Sequence, residues 1–140
     1  MTSIRVARLA DASAFFDLAR RFPAPKWPVA APRLFRSKLE AALSDPLHRV
    51  LVAMDRGELV GYLIGVDRRR YVPNEPVAQV EEIFVREERQ GQGIGRLLMQ
   101  RFENWARRRQ CVQVWIGGPK PRFYESVGYQ RSGLFFARPL

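Results

Sequence analysis

The chain has 140 residues, 46% of them apolar, with a formal charge of +10 and a single cysteine, Cys111. That length suits one domain, 1–140, around one core, and the apolar share excludes an intrinsically disordered chain. One cysteine excludes an internal disulfide, and no apolar run approaches the roughly 18 residues of a membrane-crossing helix.

The opening Met1-Thr2-Ser3-Ile4-Arg5 lacks the apolar stretch of a secretory signal, so a cytoplasmic protein is the simplest expectation. The charge comes almost wholly from arginine, since lysine occurs only at Lys26, Lys38 and Lys120. Such a field draws in anionic ligands or is spread over solvated faces. No nucleic-acid motif accompanies it, so a nucleic-acid partner is not expected.

Alternation at Ile4-Arg5-Val6-Ala7-Arg8 predicts a first strand. Asp11 is placed to cap a helix whose Phe15, Leu18, Ala19 and Phe22 form one stripe. Pro23, Pro25, Pro28 and Pro32 then make a stiff loop that carries Lys26 and Trp27. A second helix follows with Leu34, Phe35, Leu39, Ala42 and Leu43 inward, stopping near Ser44-Asp45-Pro46. His48, the only histidine, stands ahead of a strand, where it is either surface or an available base. Val50–Met54 and Leu59–Val66 read as a hairpin across Asp55-Arg56-Gly57-Glu58. Arg68-Arg69-Arg70 ends it as a solvated strand end or a grip for an acidic partner, and Pro73-Asn74-Glu75-Pro76 is a loop.

The stretch from Val80 to Leu98 organises the rest. Val80, Ile83, Phe84 and Val85 predict a buried strand that carries Glu81 and Glu82. Ile94, Leu97, Leu98, Phe102, Trp105 and Ala106 predict an amphipathic helix. Between them Gly91, Gly93 and Gly95 leave backbone N–H groups free to approach a ligand, and a bare helix N-terminus favours phosphate. A P-loop is excluded, because no Lys-Ser or Lys-Thr follows. A dinucleotide fingerprint is excluded too, since Arg96 replaces its third glycine and no carboxylate follows the next strand. Arg107-Arg108-Arg109 complements the helix dipole, and Val112–Ile116 is a strand broken by Gly117-Gly118-Pro119. Pro121–Val127 is a short helix ended by Gly128, and Tyr129–Arg138 a last strand, bent at Gly133. Cys111 is expected as a packed residue.

Gln90-Gly91-Gln92-Gly93-Ile94-Gly95 resembles the Gln/Arg-x-x-Gly-x-Gly/Ala signature of the GNAT superfamily of acetyl-CoA-dependent N-acetyltransferases. Val80–Val85 looks like that family's fourth strand, and Phe123-Tyr124-Glu125-Ser126-Val127-Gly128-Tyr129 like its Phe-Tyr-Glu-x-x-Gly-Phe segment. The resemblance implies an α/β fold of the α+β type, with a twisted, mostly antiparallel mixed sheet of about six or seven strands flanked by about four helices. It also implies that acetyl-CoA is a cosubstrate, with no metal. The acetyl group would pass to a primary amine of a small molecule or protein by direct attack in a ternary complex. A non-catalytic acyl-CoA sensor or assembly module is the alternative.

By the same resemblance, the backbone of Gly91, Gln92, Gly93, Ile94 and Gly95, with Gln90 and Arg96, would hold the pyrophosphate. Main-chain groups of Ile83, Phe84 and Val85 would hold the pantetheine arm and acetyl carbonyl. Tyr124 matches the tyrosine that protonates the departing thiolate. Glu81 matches a general-base position, with Glu82 as its alternative; on a regular strand only one of two neighbours can address the site, and a bulge changes which. Trp27 is a candidate wall for the acceptor. Homodimers are frequent in the family, and Leu134-Phe135-Phe136 offers an apolar contact. Three departures stand out: Glu87 replaces a common proline, Gln90 the commoner arginine, and no asparagine precedes Phe123-Tyr124.

Overall fold

A computed structural model describes residues 1–71, 74–118, 120–132 and 135–140. Its elements are β1 (Thr2–Val6), α1 (Ala12–Ala19), α2 (Pro32–Leu43), β2 (His48–Asp55), β3 (Glu58–Asp67), β4 (Val77–Val85), α3 (Ile94–Arg108), β5 (Gln113–Ile116), α4 (Pro121–Ser126), β6 (Gln130–Ser132) and β7 (Phe135–Pro139). They build the expected mixed sheet, in the order β1-β2-β3-β4-β5-β7-β6. Every pairing is antiparallel except β4 with β5, which α3 joins as a crossover.

Helices cover both faces. On one, α1 and α2 bury Phe15, Phe16, Phe35 and Leu39 against Val50, Val52, Tyr62, Ile64 and Phe84. On the other, Leu98, Met99, Phe102 and Trp105 of α3 pack on Leu51, Leu63, Val80, Val114 and Ile116. Burial of each such large side chain contributes about 1.5–3 kcal/mol. Among the described residues no helix is long and apolar enough to cross a membrane.

Several local expectations are corrected. Asp11 makes no side-chain cap to α1; its carboxylate accepts from the Arg8 N–H at 2.7 Å and from the Arg5 guanidinium at 2.8 Å. Phe22 lies beyond the end of α1 and packs 5.5 Å from Phe84, ring to ring. Leu34 and Leu97, expected inward, are each 42% exposed, because the buried stripes run through Phe35 and Leu98. The last strand is two, β6 and β7, paired antiparallel, with β7 inserted between β5 and β6. Gly133, its expected bend, lies outside the described residues, as do Pro73, Pro119, Leu134 and the Phe135 side chain. Phe136, from the expected apolar contact, is buried against the Tyr124 ring.

One arginine from each of the two runs, Arg69 and Arg109, is engaged internally, while Arg70, Arg107 and Arg108 are exposed. Asp67 is fully buried, and its Oδ2 accepts from Arg69 at 2.8 Å and from Arg109 at 2.9 Å. Burial opposes ionisation of Asp67, but the hydrogen bonds from Arg109 and Arg69 outweigh it and hold its pKa below the usual carboxylate range. Arg70 sits 3.6 Å from Asp45.

One irregularity controls the site. Along β3–β4 the register runs Ile64↔Glu82 and then Gly65↔Val80, so Glu81 has no partner and forms a bulge. Opposite it stands Gly65, where an added Cβ would collide with the Phe102 ring. Gly65→Ala is therefore expected to lower stability by about 2 kcal/mol through overpacking. Urea denaturation checks this: the midpoint should fall at an unchanged slope.

Candidate active site

The parallel pairing of β4 with β5 covers only Val77↔Gln113 to Val80↔Ile116. Beyond Val80 the two strands separate, and β4 runs on to Val85 with the edge that faced β5 unpaired. A cavity of about 540 Å³ opens there. Its walls come from β4, from the glycine loop, from Ile116-Gly117-Gly118 and Tyr124, and from Phe22, Pro23, Ala24 and Lys26.

The glycines divide by physical role. Gly91 and Gly93 have φ of 80° and 86°, with open space where a side chain would be. These positions need a left-handed backbone, which glycine adopts without strain. Gly95 differs, since a Cβ there would lie 2.9 Å from the Phe123 ring, so its role is close packing of α3 on α4. Among the described residues, no backbone carbonyl accepts from the N–H groups of Gly91 to Arg96, before Leu97 begins the helical ladder from Gly93. Bare donors at a helix N-terminus make an anion seat. Arg96 and Lys120 line the same end, and neither has a carboxylate partner among the described residues.

The loop is braced by Arg89, which lines the cavity and reaches Asp55 at the β2–β3 turn at 2.7 Å and Gln92 at 3.1 Å; Gln92 is not among the cavity-lining residues. The Gln90 side chain donates to the Val85 carbonyl at 2.9 Å and lines the cavity. Tyr124 is buried, and its hydroxyl donates to the Gly117 carbonyl at 3.3 Å. A Cβ on Gly118, whose φ is 135°, would lie 2.6 Å from that hydroxyl, so the glycine makes its room. Burial pushes the Tyr124 pKa above its usual value.

The bulge resolves how two adjacent carboxylates share a strand. Ala78 and Val80 face α3, as do Ile83 and Val85, so the alternation changes parity between residues 80 and 83. Glu81 and Glu82 thereby both turn to the face of α1 and α2, where Glu82 meets Tyr62 and Glu81 approaches His48. Phe84 is on that face as well, and its main-chain groups turn to Tyr62 of β3, so the unpaired edge offered to the cavity comes from Ile83 and from the Val85 N–H.

The two carboxylates have different occupations. Glu82 is buried, one oxygen accepting from the Tyr62 hydroxyl and the other from the Lys26 N–H at 2.8 Å. Burial raises its pKa, with the Tyr62 and Lys26 donors pulling the other way. Glu82 therefore pins the proline-rich loop to the sheet. Glu81 lines the cavity with its Oε1 buried and without a hydrogen-bond partner.

Trp27 is not brought to the cavity. It is 4% exposed, its ring 6.0 Å from Phe15 and 5.5 Å from Phe35, and it anchors the loop from beneath. The wall expected of Trp27 is supplied instead by Phe22, Pro23, Ala24 and Lys26. The Tyr62–Glu82 pair was not anticipated, although a hydroxyl amid the apolar run Leu59–Val66 was a visible signal. Among the described residues no group of three His, Cys, Asp or Glu side chains is arranged around a metal position.

A crossover from β4 to β5 with a glycine turn at its helix start, beside a strand pair splayed apart, defines a fold seen in acyl-transfer enzymes. The acetyltransferase (GNAT) family model matches residues 12–129, and the chain belongs to that family, whose members are acetyl-CoA-dependent transferases. Solved structures agree on the fold. The aminoglycoside N-acetyltransferase AAC(6')-Iy in complex with CoA is 18% identical, with a TM-score of 0.84 over 94% of this chain and 90% of that one. A ribosomal-protein-alanine N-acetyltransferase from Brucella melitensis is 24% identical, with a TM-score of 0.73 over 94% of each chain. Glucosamine-6-phosphate N-acetyltransferase from Arabidopsis thaliana is 16% identical, at 0.83 over 95% of this chain and 94% of that one. Among curated protein sequences none gives a significant match.

If Glu82 pins the loop, Glu82→Ala leaves the buried Tyr62 hydroxyl and Lys26 N–H unpaired, a loss of about 1–3 kcal/mol. Hydrogen exchange should then quicken across residues 22–31 while β3 stays protected.

Proposed function

We propose that the chain transfers an acetyl group from acetyl-CoA to a primary amine that arrives as an ammonium ion, by direct attack within a ternary complex. The observation that carries this reading is the arrangement of charge along the cavity. One end presents free amides, Arg96 and Lys120; the other presents the Glu81 carboxylate, with Lys26 in the neighbouring wall. An anion fits the first end and a cation the second. The AAC(6')-Iy relatives, one bound to CoA and one to a CoA-linked bisubstrate analogue, support the cosubstrate.

In this reading the backbone of Gly91 to Gly95, with Arg96, holds the pyrophosphate. Gln90 steadies the turn through its bond to the Val85 carbonyl. Along Ile83-Phe84-Val85, the edge left open at Ile83 and the Val85 N–H takes the pantetheine amides as an added strand would. A main-chain N–H of that edge polarises the acetyl carbonyl, and one preorganised donor at a developing oxyanion contributes about 2.7–4 kcal/mol.

An ammonium ion has no lone pair to attack with, so Glu81 removes one proton from it first. The amine nitrogen then bonds to the carbonyl carbon and the carbon–sulfur bond breaks. Tyr124 donates its proton to the leaving thiolate and is recharged by the second proton shed from the nitrogen. The proton on Glu81 leaves for solvent, so one net proton is released per turnover. In this reading Glu82, each of whose oxygens accepts from a protein donor, holds Lys26 and its loop against the acceptor end, and Glu81, whose Oε1 has no partner, takes the base role.

Tyr124→Phe is expected to lower kcat by about 100-fold or more, with the acetyl-CoA dissociation constant unchanged. Because burial raises the Tyr124 pKa, the alkaline loss from this group is expected at higher pH than for a solvent-exposed tyrosine. Glu81→Gln should lower activity most at low pH, where the acceptor arrives charged, and least above the amine's own pKa. Thiol release from acetyl-CoA with pooled amines, followed by mass analysis of the product, tests the reading. Binding of CoA without consumption of any amine would assign the chain to the non-catalytic acyl-CoA sensors instead.

A further inference from the structure

The acetyl-transfer reading leaves one proton on Glu81, whose side chain is 30% exposed along the cavity; while cosubstrate and acceptor fill that cavity, a route on the far side of the carboxylate gives the proton a second way out. Glu81 Oε1 is buried and has no hydrogen-bond partner. The group recorded nearest to it is the ring of His48 at the start of β2, whose Nε2 lies 4.0 Å away. The other ring nitrogen, Nδ1, is 3.0 Å from Asp45 Oδ2. Asp45 is itself fixed, its Oδ1 accepting the Leu47 N–H at 2.9 Å and its Oδ2 lying 3.6 Å from Arg70. The three side chains form a row, Asp45–His48–Glu81, that runs from the surface to the cavity wall.

The chemistry of the row follows from its geometry. An ionised Asp45 accepts only, so the neutral imidazole carries its proton on Nδ1 and turns a bare Nε2 toward Glu81. A carboxylate on the far nitrogen both fixes that tautomer and stabilises the imidazolium once Nε2 is protonated. The 4.0 Å separation exceeds a hydrogen bond, and a shift of about 1 Å in the flexible Glu81 side chain closes it. His48 is 22% exposed, so a proton that reaches the ring can leave to water. The charged groups recorded around this row are Asp45 from the α2–β2 connection, Arg70 from the β3–β4 connection, and Glu81 with its neighbour Glu82 on β4. Counted from Val80, which faces α3, strand alternation places Glu81 on this face, and the bulge turns Glu82 to it as well.

We propose that His48, oriented by Asp45, is a positioning residue that receives at Nε2 the proton Glu81 takes from the acceptor and releases it to solvent. The step breaks the Glu81 O–H bond and forms the Nε2–H bond. Loss of one proton from the imidazolium to water then restores the Nδ1–H tautomer, leaving the carboxylate ready for the next ammonium ion. The proposal rests on the acetyl-transfer reading, and the experiment separates the two.

Wild type is first assayed for amine-dependent thiol release. His48→Ala is then expected to lose about 10-fold in kcat at low buffer concentration, less than the 10²–10⁴ of a direct proton transfer. The acetyl-CoA KM should stay unchanged, and added imidazole or concentrated buffer should restore the rate, which a purely structural defect would not allow. Asp45→Asn, which keeps the ring and its packing, should show a smaller loss with the same buffer rescue. Because His48 is the sole histidine, its ring nitrogens give one unambiguous NMR pair. The proton should sit on Nδ1, and Glu81→Gln should move the Nε2 resonance. Wild-type activity in His48→Ala at every buffer concentration, or an Nε2 resonance indifferent to Glu81→Gln, overturns the relay while leaving acetyl transfer intact. A wild-type chain that consumes no amine overturns both.

Discussion

The site depends on a failure of strand pairing. β4 and β5 run together for four residue pairs and then part, because β5 ends at Ile116 while β4 continues to Val85. An unpaired strand edge in a protein interior is costly, since each buried N–H or carbonyl without a partner loses about 1–3 kcal/mol. Here the exposed edge lines a cavity, where solvent or a ligand with amide groups can satisfy it. The bulge at Glu81 lies at the point of separation, and the two features are coupled: the extra residue bends β4 just where β5 stops. Gly65, across from the bulge, lets Phe102 fill the space that the distortion would leave.

The same distortion organises charge. Two carboxylates on neighbouring strand positions would ordinarily face opposite layers, one stranded among the apolar side chains of α3. With the bulge both lie on the α1–α2 face, and the protein treats them differently. Glu82 receives two protein donors and fastens the chain near Lys26; Glu81 receives none from the wall and is left facing the cavity. At the opposite end the positive elements are of another kind, backbone amides at a helix start with Arg96 and Lys120 beside them. A single cavity thus carries a positive and a negative end, which is what a reaction between a phosphorylated thioester and an ammonium ion requires.

What the sequence made legible was local. The glycine spacing marked the loop, the apolar periods marked most strands and helices, and Tyr124 stood out inside a recognisable segment, all of which depend on residues within a few positions of one another. What it concealed was set by long-range packing. Trp27, among prolines, was a candidate wall for the acceptor, yet Phe15 and Phe35 arrive from two helices to bury it. Gly95 shared the spacing of Gly91 and Gly93 but serves the Phe123 ring across the α3–α4 contact. The split of Tyr129–Arg138 into two strands arises because β7 pairs with β5 as well as with β6. That Glu81 and Glu82 would share one face was beyond any strand periodicity, because a bulge is a property of two strands and β3 supplies half of it.

The division of labour between the carboxylates also explains why the acceptor end can be rigid without Trp27 in its wall. Trp27 holds the proline-rich loop from the core side, and Glu82 holds it from the sheet side through the Lys26 amide. The stretch that leads into these adjacent anchors presents Phe22, Pro23, Ala24 and Lys26 to the cavity, and the prolines of the loop restrict its backbone. A wall preorganised in this way spends no binding energy on ordering itself when the acceptor arrives, so that energy stays available for alignment with the thioester. A buried carboxylate whose pKa is raised would be a poor choice for a surface ion pair. It suits a pin, because a hydroxyl and an amide can hold it whether or not it carries its proton. The loop that shapes the acceptor end is thereby insulated from the protonation changes that the reaction imposes on Glu81 beside it.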